Sequence, residues 1–297
     1  MEKQTFGLIK LIVSMLIFGS IGLFVRYIPL NSSVIALIRA VVGVVFLVGI
    51  MLVKRTRLSV DTIRNNLLLL ILSGTAIGFN WILLFESYRY TSVAVSTLCY
   101  YMAPMIVMAL SPLVLKERIT GKRLLCICIA LAGIALISGI FRIGSLEHRE
   151  LTGIFFGLGA AALYATVILI NKQFRGISSM ERTVCQLSIA AAVLLPYTIL
   201  TADFSFKAVT PVCWILLAVL GIVHTGFAYY LYFGSMEHLR GQSIATASYI
   251  DPVFAVILSA VVLREPFTTE TVIGAVAILG AAFVCEMPYE RGQKNDN

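Results

Sequence analysis

Charge is what this chain has least of. Of its 297 residues only 15 are acidic and 23 basic, 13% in all, and histidine occurs three times. A soluble domain carries about 25% charged residues. A particle of this size with so few cannot cover its surface with polar groups, which argues against a water-soluble enzyme. Long polar stretches are missing too, so no soluble domain is inserted between the apolar runs. No H-E-x-x-H or G-x-S-x-G pattern occurs, and Gly121-Lys122 lacks the upstream glycine of a phosphate-binding loop. Zinc hydrolysis, a nucleophile elbow and direct ATP drive therefore have no motif to rest on. The six cysteines all fall inside apolar runs, and Cys126 and Cys128, two apart on a helix, point to nearly opposite faces. Neither a disulfide framework nor a metal site follows. No cofactor is expected and the chain does not read as an enzyme.

What the chain does have is apolar length: 59% of it is hydrophobic. Crossing about 30 Å of hydrocarbon takes roughly 20 apolar residues. Ten segments meet that need, at 8–28, 34–53, 67–88, 92–115, 122–141, 151–172, 181–201, 212–235, 243–263 and 270–287. The first is too long for a signal peptide and has no small-residue cleavage site.

The net charge of +8 is topological. With the N-terminus inside, sixteen Lys and Arg fall on inner segments and six on outer ones, with Arg39 inside the second span. By the positive-inside rule both termini are expected to be cytoplasmic. A nucleic-acid partner is not expected. The short termini point to a prokaryotic cytoplasmic membrane.

The two halves repeat. A shift of 148 residues aligns Gly78-Phe79 with Gly226-Phe227, Tyr101 with Tyr249, Pro104 with Pro252, Ser111 with Ser259 and Glu117 with Glu265. Thirteen of the 43 positions from 78 to 120 are identical without a gap, the mark of a duplicated unit. The expected fold is therefore an all-α integral membrane protein of ten helices, divided at 1–145 and 146–297. Five spans per half is an odd number, so the second unit enters the membrane from the opposite side, the inverted plan recurrent in secondary transporters.

Two blocks carry a family resemblance. One is Ser96–Thr120, with Tyr100-Tyr101-Met102-Ala103-Pro104 and Lys116-Glu117-Arg118-Ile119-Thr120. The other is Ser243–Thr268, with Ser248-Tyr249-Ile250-Asp251-Pro252 and Leu263-Arg264-Glu265-Pro266-Phe267-Thr268. With the five-plus-five arrangement, they resemble the drug/metabolite transporter superfamily of the EamA-domain type. The resemblance implies a metabolite carrier but not a substrate, since relatives carry amino acids, nucleotide sugars and organic cations. Members often place Glu before the span 9 proline; Asp251 keeps the carboxylate and shortens it.

Asp251 is the strongest candidate residue. It lies eight residues into span 9, roughly 12 Å deep, where a carboxylate needs a wet cavity or a partner. Pro252 and Pro104 free backbone carbonyls and suit flexure. A fixed polar cluster at the kink is the bland alternative for Asp251.

Glu86 lies near the outer end of span 3 and reads equally as an interfacial partner of Arg89. Arg39, five residues into span 2, reads as a cation that snorkels outward or pairs with a carboxylate across the bundle. His224 reads as a packing residue more readily than a proton relay. Trp81, Tyr100, Tyr101, Tyr164, Tyr229 and Tyr249 are candidates for an aromatic cavity around Asp251, with Asn80 adding hydrogen bonds. Ordinary packing accounts for about half of such aromatics. Glu117 and Glu265, each three residues before a threonine able to cap a helix, suit a gating or structural role. Gly74-x-x-x-Gly78 and Gly153-x-x-x-Gly157 read as packing faces.

The expected activity is alternating-access transport of a small organic solute, as efflux of amino acids or related zwitterions. Choline-like or lipophilic cations are the alternative substrates. H+ or Na+ is the candidate coupling ion, with Asp251 the coupling group. The other partner is membrane lipid, in a monomer or homodimer.

Overall fold

The computed structural model describes residues 2–56, 58–114, 120–138, 148–202, 209–236, 239, 241–266 and 268–286, without the side chains of 2, 3, 241, 242, 245 and 286. All regular structure among them is helical. In chain order the first elements are α1 (Glu2–Gly19), α2 (Ile21–Arg26), α3 (Ser32–Val53), α4 (Val60–Asn65), α5 (Leu67–Tyr90), α6 (Val93–Tyr100), α7 (Ala103–Val114) and α8 (Gly121–Ile137). They are followed by α9 (His148–Asn171), α10 (Ser179–Thr201), α11 (Pro211–Gly221), a π-helical turn (Ile222–Phe227), α12 (Ala228–Met236), α13 (Gly241–Ser248), α14 (Ile250–Val261) and α15 (Thr269–Glu286). Seven segments are long and apolar enough to cross a membrane: 4–26, 32–53, 67–90, 93–114, 148–171, 179–201 and 211–236. Two shorter apolar helices cover 246–261 and 269–285. The protein is a multi-pass membrane protein.

Local chemistry sets the helix ends. Ser92 caps α6 by accepting from Val95 N at 3.1 Å, and Thr120 caps α8 by accepting from Arg123 N at 3.3 Å. Ser178 and Glu181 form a reciprocal capping box at α10, and Pro211 occupies the first turn of α11, where no amide is needed. Thr268 accepts from Thr271 N at the start of α15. Thr120 and Thr268 thus cap the helices that Glu117 and Glu265 precede.

Four of the expected spans are not continuous. The first breaks at Ser20 between α1 and α2, the fourth at Tyr101-Met102, the ninth at Tyr249, and the eighth loosens into the π turn. Pro104 and Pro252 sit in the first turns of α7 and α14, where a missing amide costs nothing. They therefore follow breaks in the chain and do not kink a continuous rod. The breaks at 101 and 249 are 148 residues apart, as the sequence repeat is.

The helices pair across the two halves of the chain. α5 runs along α9, α1 along α12, α10 along α3 and α5, α8 along α15, and α6 meets α14. Glycines permit the closest approaches: Gly74 faces Gln186 and Ile189 of α10, Gly78 faces Leu194, and Gly157 of α9 faces Cys99. The main apolar core, with Phe85, Leu47, Leu187 and Leu220 fully buried, lies among α3, α5, α10 and α11. A second cluster around Met105, Ile278 and Leu98 joins α6 and α7 to α15.

Candidate functional site

The two broken helices meet at a carboxylate. The Tyr101 hydroxyl, at the α6–α7 break, donates to Asp251 Oδ2 at 2.9 Å and lies 3.3 Å from the Ser248 carbonyl. Ser248 closes α13 and Asp251 opens α14. Tyr101 therefore reaches from one broken helix to the freed backbone and charge of the other. Tyr100 extends the group: its ring lies 6.3 Å from Tyr101 and stacks on Tyr164 at 5.2 Å. Asp251, Tyr100 and Tyr101 are only half-buried, and Tyr164 exposes 40% of its surface. Accessible surface at a carboxylate between two such helices is what a wet cavity requires.

A second group surrounds Arg39. Its side chain is 3% exposed, so it does not snorkel. The guanidinium lies over Trp81 at 4.2 Å and faces Phe85 at 5.8 Å, and Nε donates to Thr225 Oγ1 at 2.7 Å. Thr225 stands in the π turn and donates to the Leu220 carbonyl five residues back. The wide turn thereby aims its hydroxyl at α3. π turns concentrate where a helix must redirect a side chain. Tyr88, Tyr100 and Tyr229 lie within electrostatic reach of Arg39, and Tyr88, Tyr100, Tyr101 and Tyr164 within reach of Asp251. Tyr88 and Tyr100 belong to both sets.

The expected aromatic ring about Asp251 thus divides. Tyr100, Tyr101 and Tyr164 attend Asp251, whereas Trp81 and Tyr229 attend Arg39. Tyr229 also packs on Phe18 and Phe233. Tyr249 turns toward Phe283 at 5.7 Å, in the second core cluster. Asn80 is committed to the Ala160 carbonyl at 2.6 Å and ties α5 to α9. Glu86 pairs locally with Arg89 at 3.4 Å. His224 is 2.9 Å from Ser20 Oγ and 3.3 Å from the Val219 carbonyl, with its ring edge-on to Phe24. It joins the α1–α2 break to the π turn.

Glu265 locks one end of the bundle. Its Oε2 accepts from Val93 N at 2.8 Å and Ser259 Oγ at 2.5 Å, and its Oε1 lies 3.5 Å from Arg26 Nη2. The other Nη of Arg26 donates to the Tyr88 carbonyl, and Ala94 N donates to Ser259 Oγ. A carboxylate on free amides at a helix start is favourably placed. Arg264, with φ of 52°, turns the chain after α14 so that Glu265 folds back. α2, α5, α6 and the α14–α15 turn are cross-tied by the Arg26 and Glu265 side chains together, and Arg26 and Tyr88 also line a surface depression with Val25 and Pro29. Glu117, its counterpart in the repeat, lies outside the described residues.

Arg39, Tyr88, Thr225 and Ser20 were not singled out as site residues from sequence. Only Arg39 gave a signal, as a basic residue well inside a span.

Long apolar helices, broken around a half-buried carboxylate where the two halves of the chain meet, define a membrane transporter. The chain belongs to the EamA-like transporter family, whose model matches it twice, over residues 5–139 and 151–286. A Bacillus subtilis (strain 168) protein described as the uncharacterized transporter YxxF is 30% identical over 260 residues, spanning 88% of this chain and 83% of its own. An uncharacterized transporter of Archaeoglobus fulgidus is 27% identical over 94% of this chain and 96% of its own. A solved structure, titled only as a crystal structure of protein, shares the fold with a TM-score of 0.67 at 16% identity, over 94% of this chain and 95% of the other. The family implies a small-molecule substrate and a lipid surround.

Proposed function

We propose that the protein is a secondary carrier that exports amino acids or related zwitterions by alternating access. The reading rests on the hydrogen bond from Tyr101 to Asp251, which joins two broken helices 150 residues apart in sequence at a half-buried carboxylate. Two five-helix units in inverted orientation, 1–145 and 146–297, form the carrier. The helix pairings support that reading: α5 with α9 is the counterpart of α12 with α1, α3–α10 and α8–α15 each pair an element with its own equivalent, and α6–α14 joins opposite halves of the equivalent fourth and ninth spans. Such related halves can exchange which side is open.

In this reading Asp251 binds either the ligand's ammonium group or a coupling proton. The Arg26–Glu265 tie is the seal that opens and closes at one end. Pro104 and Pro252 keep their helix starts free to reorient. The lysine and arginine bias supports an orientation with both termini cytoplasmic, in the cell membrane. Tyr100, Tyr101 and Tyr164 beside Asp251 support the second reading, a choline-like or lipophilic cation held by aromatic faces.

The test is counterflow in proteoliposomes preloaded with an unlabelled compound. Labelled amino acid entering only amino-acid-loaded vesicles, and not with Asp251→Asn, supports the first reading. Accumulation of choline or a quaternary dye in place of amino acids supports the second. Leakage independent of loading contradicts both.

A further inference from the structure

We propose that Arg39 is the anion subsite of the carrier, taking the ligand's carboxylate while Asp251 takes its ammonium group; the proposal rests on the zwitterion reading above. Arg39 is a 3%-exposed guanidinium in the interior of α3. Among the described residues its only hydrogen bond is from Nε to Thr225, so four of its five N–H donors have no protein acceptor. No carboxylate neutralises it either: the ion pairs among the described residues are Arg26–Glu265 and Arg89–Glu86.

A fully charged, unneutralised cation at this depth is costly. A purely scaffolding role would be filled at lower cost by an apolar side chain. Trp81 and Thr225 hold the guanidinium by its face and by Nε. Its Nη edge is left for a planar acceptor, the geometry in which arginine takes a carboxylate by two parallel hydrogen bonds. Gly43 leaves the room in which Thr225 stands, its missing Cβ occupying the place the Thr225 methyl fills.

Arg39 and Asp251 are not paired with each other, yet both act on Tyr88 and Tyr100. A cation with free donors and a half-buried carboxylate that share tyrosine neighbours match a ligand with a carboxylate at one end and an ammonium at the other. A simple cation would satisfy Asp251 and leave Arg39 unanswered. An anionic metabolite would do the reverse.

The experiment measures binding to the purified full-length protein by ligand-induced thermal stabilisation, with the twenty proteinogenic amino acids as probes. Each that stabilises is compared with its methyl ester, which lacks the anion, and its N-acetyl form, which lacks the cation. Wild type should bind the free acid about 10- to 100-fold more tightly than the ester, the value of a lost charged hydrogen-bond pair. Arg39→Gln should bring acid and ester to the same affinity, and Arg39→Lys should restore part of the gap. Esters binding wild type as tightly as acids, or Arg39→Gln keeping the preference, overturns the assignment. The wild-type comparison decides the matter even if the variants do not fold. If esters or simple amines bind and counterflow in an Asp251-dependent way, Arg39 falls and the carrier reading stands as a cation carrier. If no amino acid binds or moves, the zwitterion reading and the Arg39 subsite fall together.

Discussion

Tyr101 and Asp251 share a 2.9 Å hydrogen bond across the meeting point of two broken helices. A neutral donor to a carboxylate contributes about 1.5–3 kcal/mol when desolvated, and less here because Asp251 keeps accessible surface. Tyr101→Phe should therefore lower stability by about 1 kcal/mol. The loss should be non-additive with Asp251→Asn, since each change removes the same bond. Thermal melting of the four members of the cycle checks this. Fully additive losses would mean that the bond contributes nothing to holding the breaks together.

Asp251 should also set the pH response. Its carboxylate attracts an ammonium ligand only when ionised, so protons and ligand compete for one place. Ligand affinity of the wild type should fall as pH is lowered through the titration of this group. That of Asp251→Asn should be flat in pH and at least about tenfold weaker at neutral pH. Binding measured at several pH values on both forms decides. A slope that survives in the Asn variant assigns the titration elsewhere.

How much of this was legible follows from where each signal lives. The span edges, the repeat and the capping threonines are local patterns, and helices form close to the expected positions. Asp251 announced itself as a charge inside an apolar run, and Tyr101 became interpretable through its alignment with Tyr249. The aromatic ring around Asp251 was not recoverable. Which face of a helix meets the cavity depends on its rotation, and that is set by tertiary packing. Tyr249 is the sequence equivalent of Tyr101, yet faces Phe283, because equivalent residues need not meet the same neighbours across the halves. Arg39 looked like a snorkelling cation because the π turn that presents Thr225 has no sequence signature.

The Glu265 tie predicts a conformational shift. Replacing Glu265 by Gln removes the ion pair with Arg26, whose side chain is 39% exposed against 10% for Glu265. It also weakens the bonds from Val93 and Ser259. An exposed pair alone contributes about 0–1 kcal/mol. The charged hydrogen bonds at the α6 start raise the combined loss to about 1.4 kcal/mol, a tenfold change in population. Spin labels at Tyr27 and Thr269 in a cysteine-free background should show a longer distance gaining weight by about that factor. An unchanged distance distribution would mean that this end is held closed by apolar packing.

His224 should behave as a joint and not as a relay. Both ring nitrogens are engaged, with Ser20 and the Val219 carbonyl, and Phe24 covers the ring. His224→Gln is expected to cost about 1–2 kcal/mol in stability and leave the pH profile of transport unmoved. A flattened profile in that variant, with Asp251 intact, would return His224 to the coupling path.

Gly74 tests whether the interface between α5 and α10 tolerates any added volume. A Cβ there would lie 2.7 Å from the Gln186 backbone oxygen and 2.8 Å from Ile189 Cβ. The nearest obstacle is backbone, so no rotamer change relieves it. Gln186 is also held by its amide, which donates to Ser73 Oγ at 2.7 Å and Asn171 Oδ1 at 2.8 Å. The two helices would have to separate and strain these bonds, at a cost of about 1–3 kcal/mol. Gly74→Ala should therefore lower the melting temperature markedly. Gly49→Ala, where a Cβ meets nothing within 4 Å, should leave it unchanged or raise it slightly through reduced chain entropy. Equal effects at the two positions would show that close approach at Gly74 is incidental and that helix propensity alone governs both.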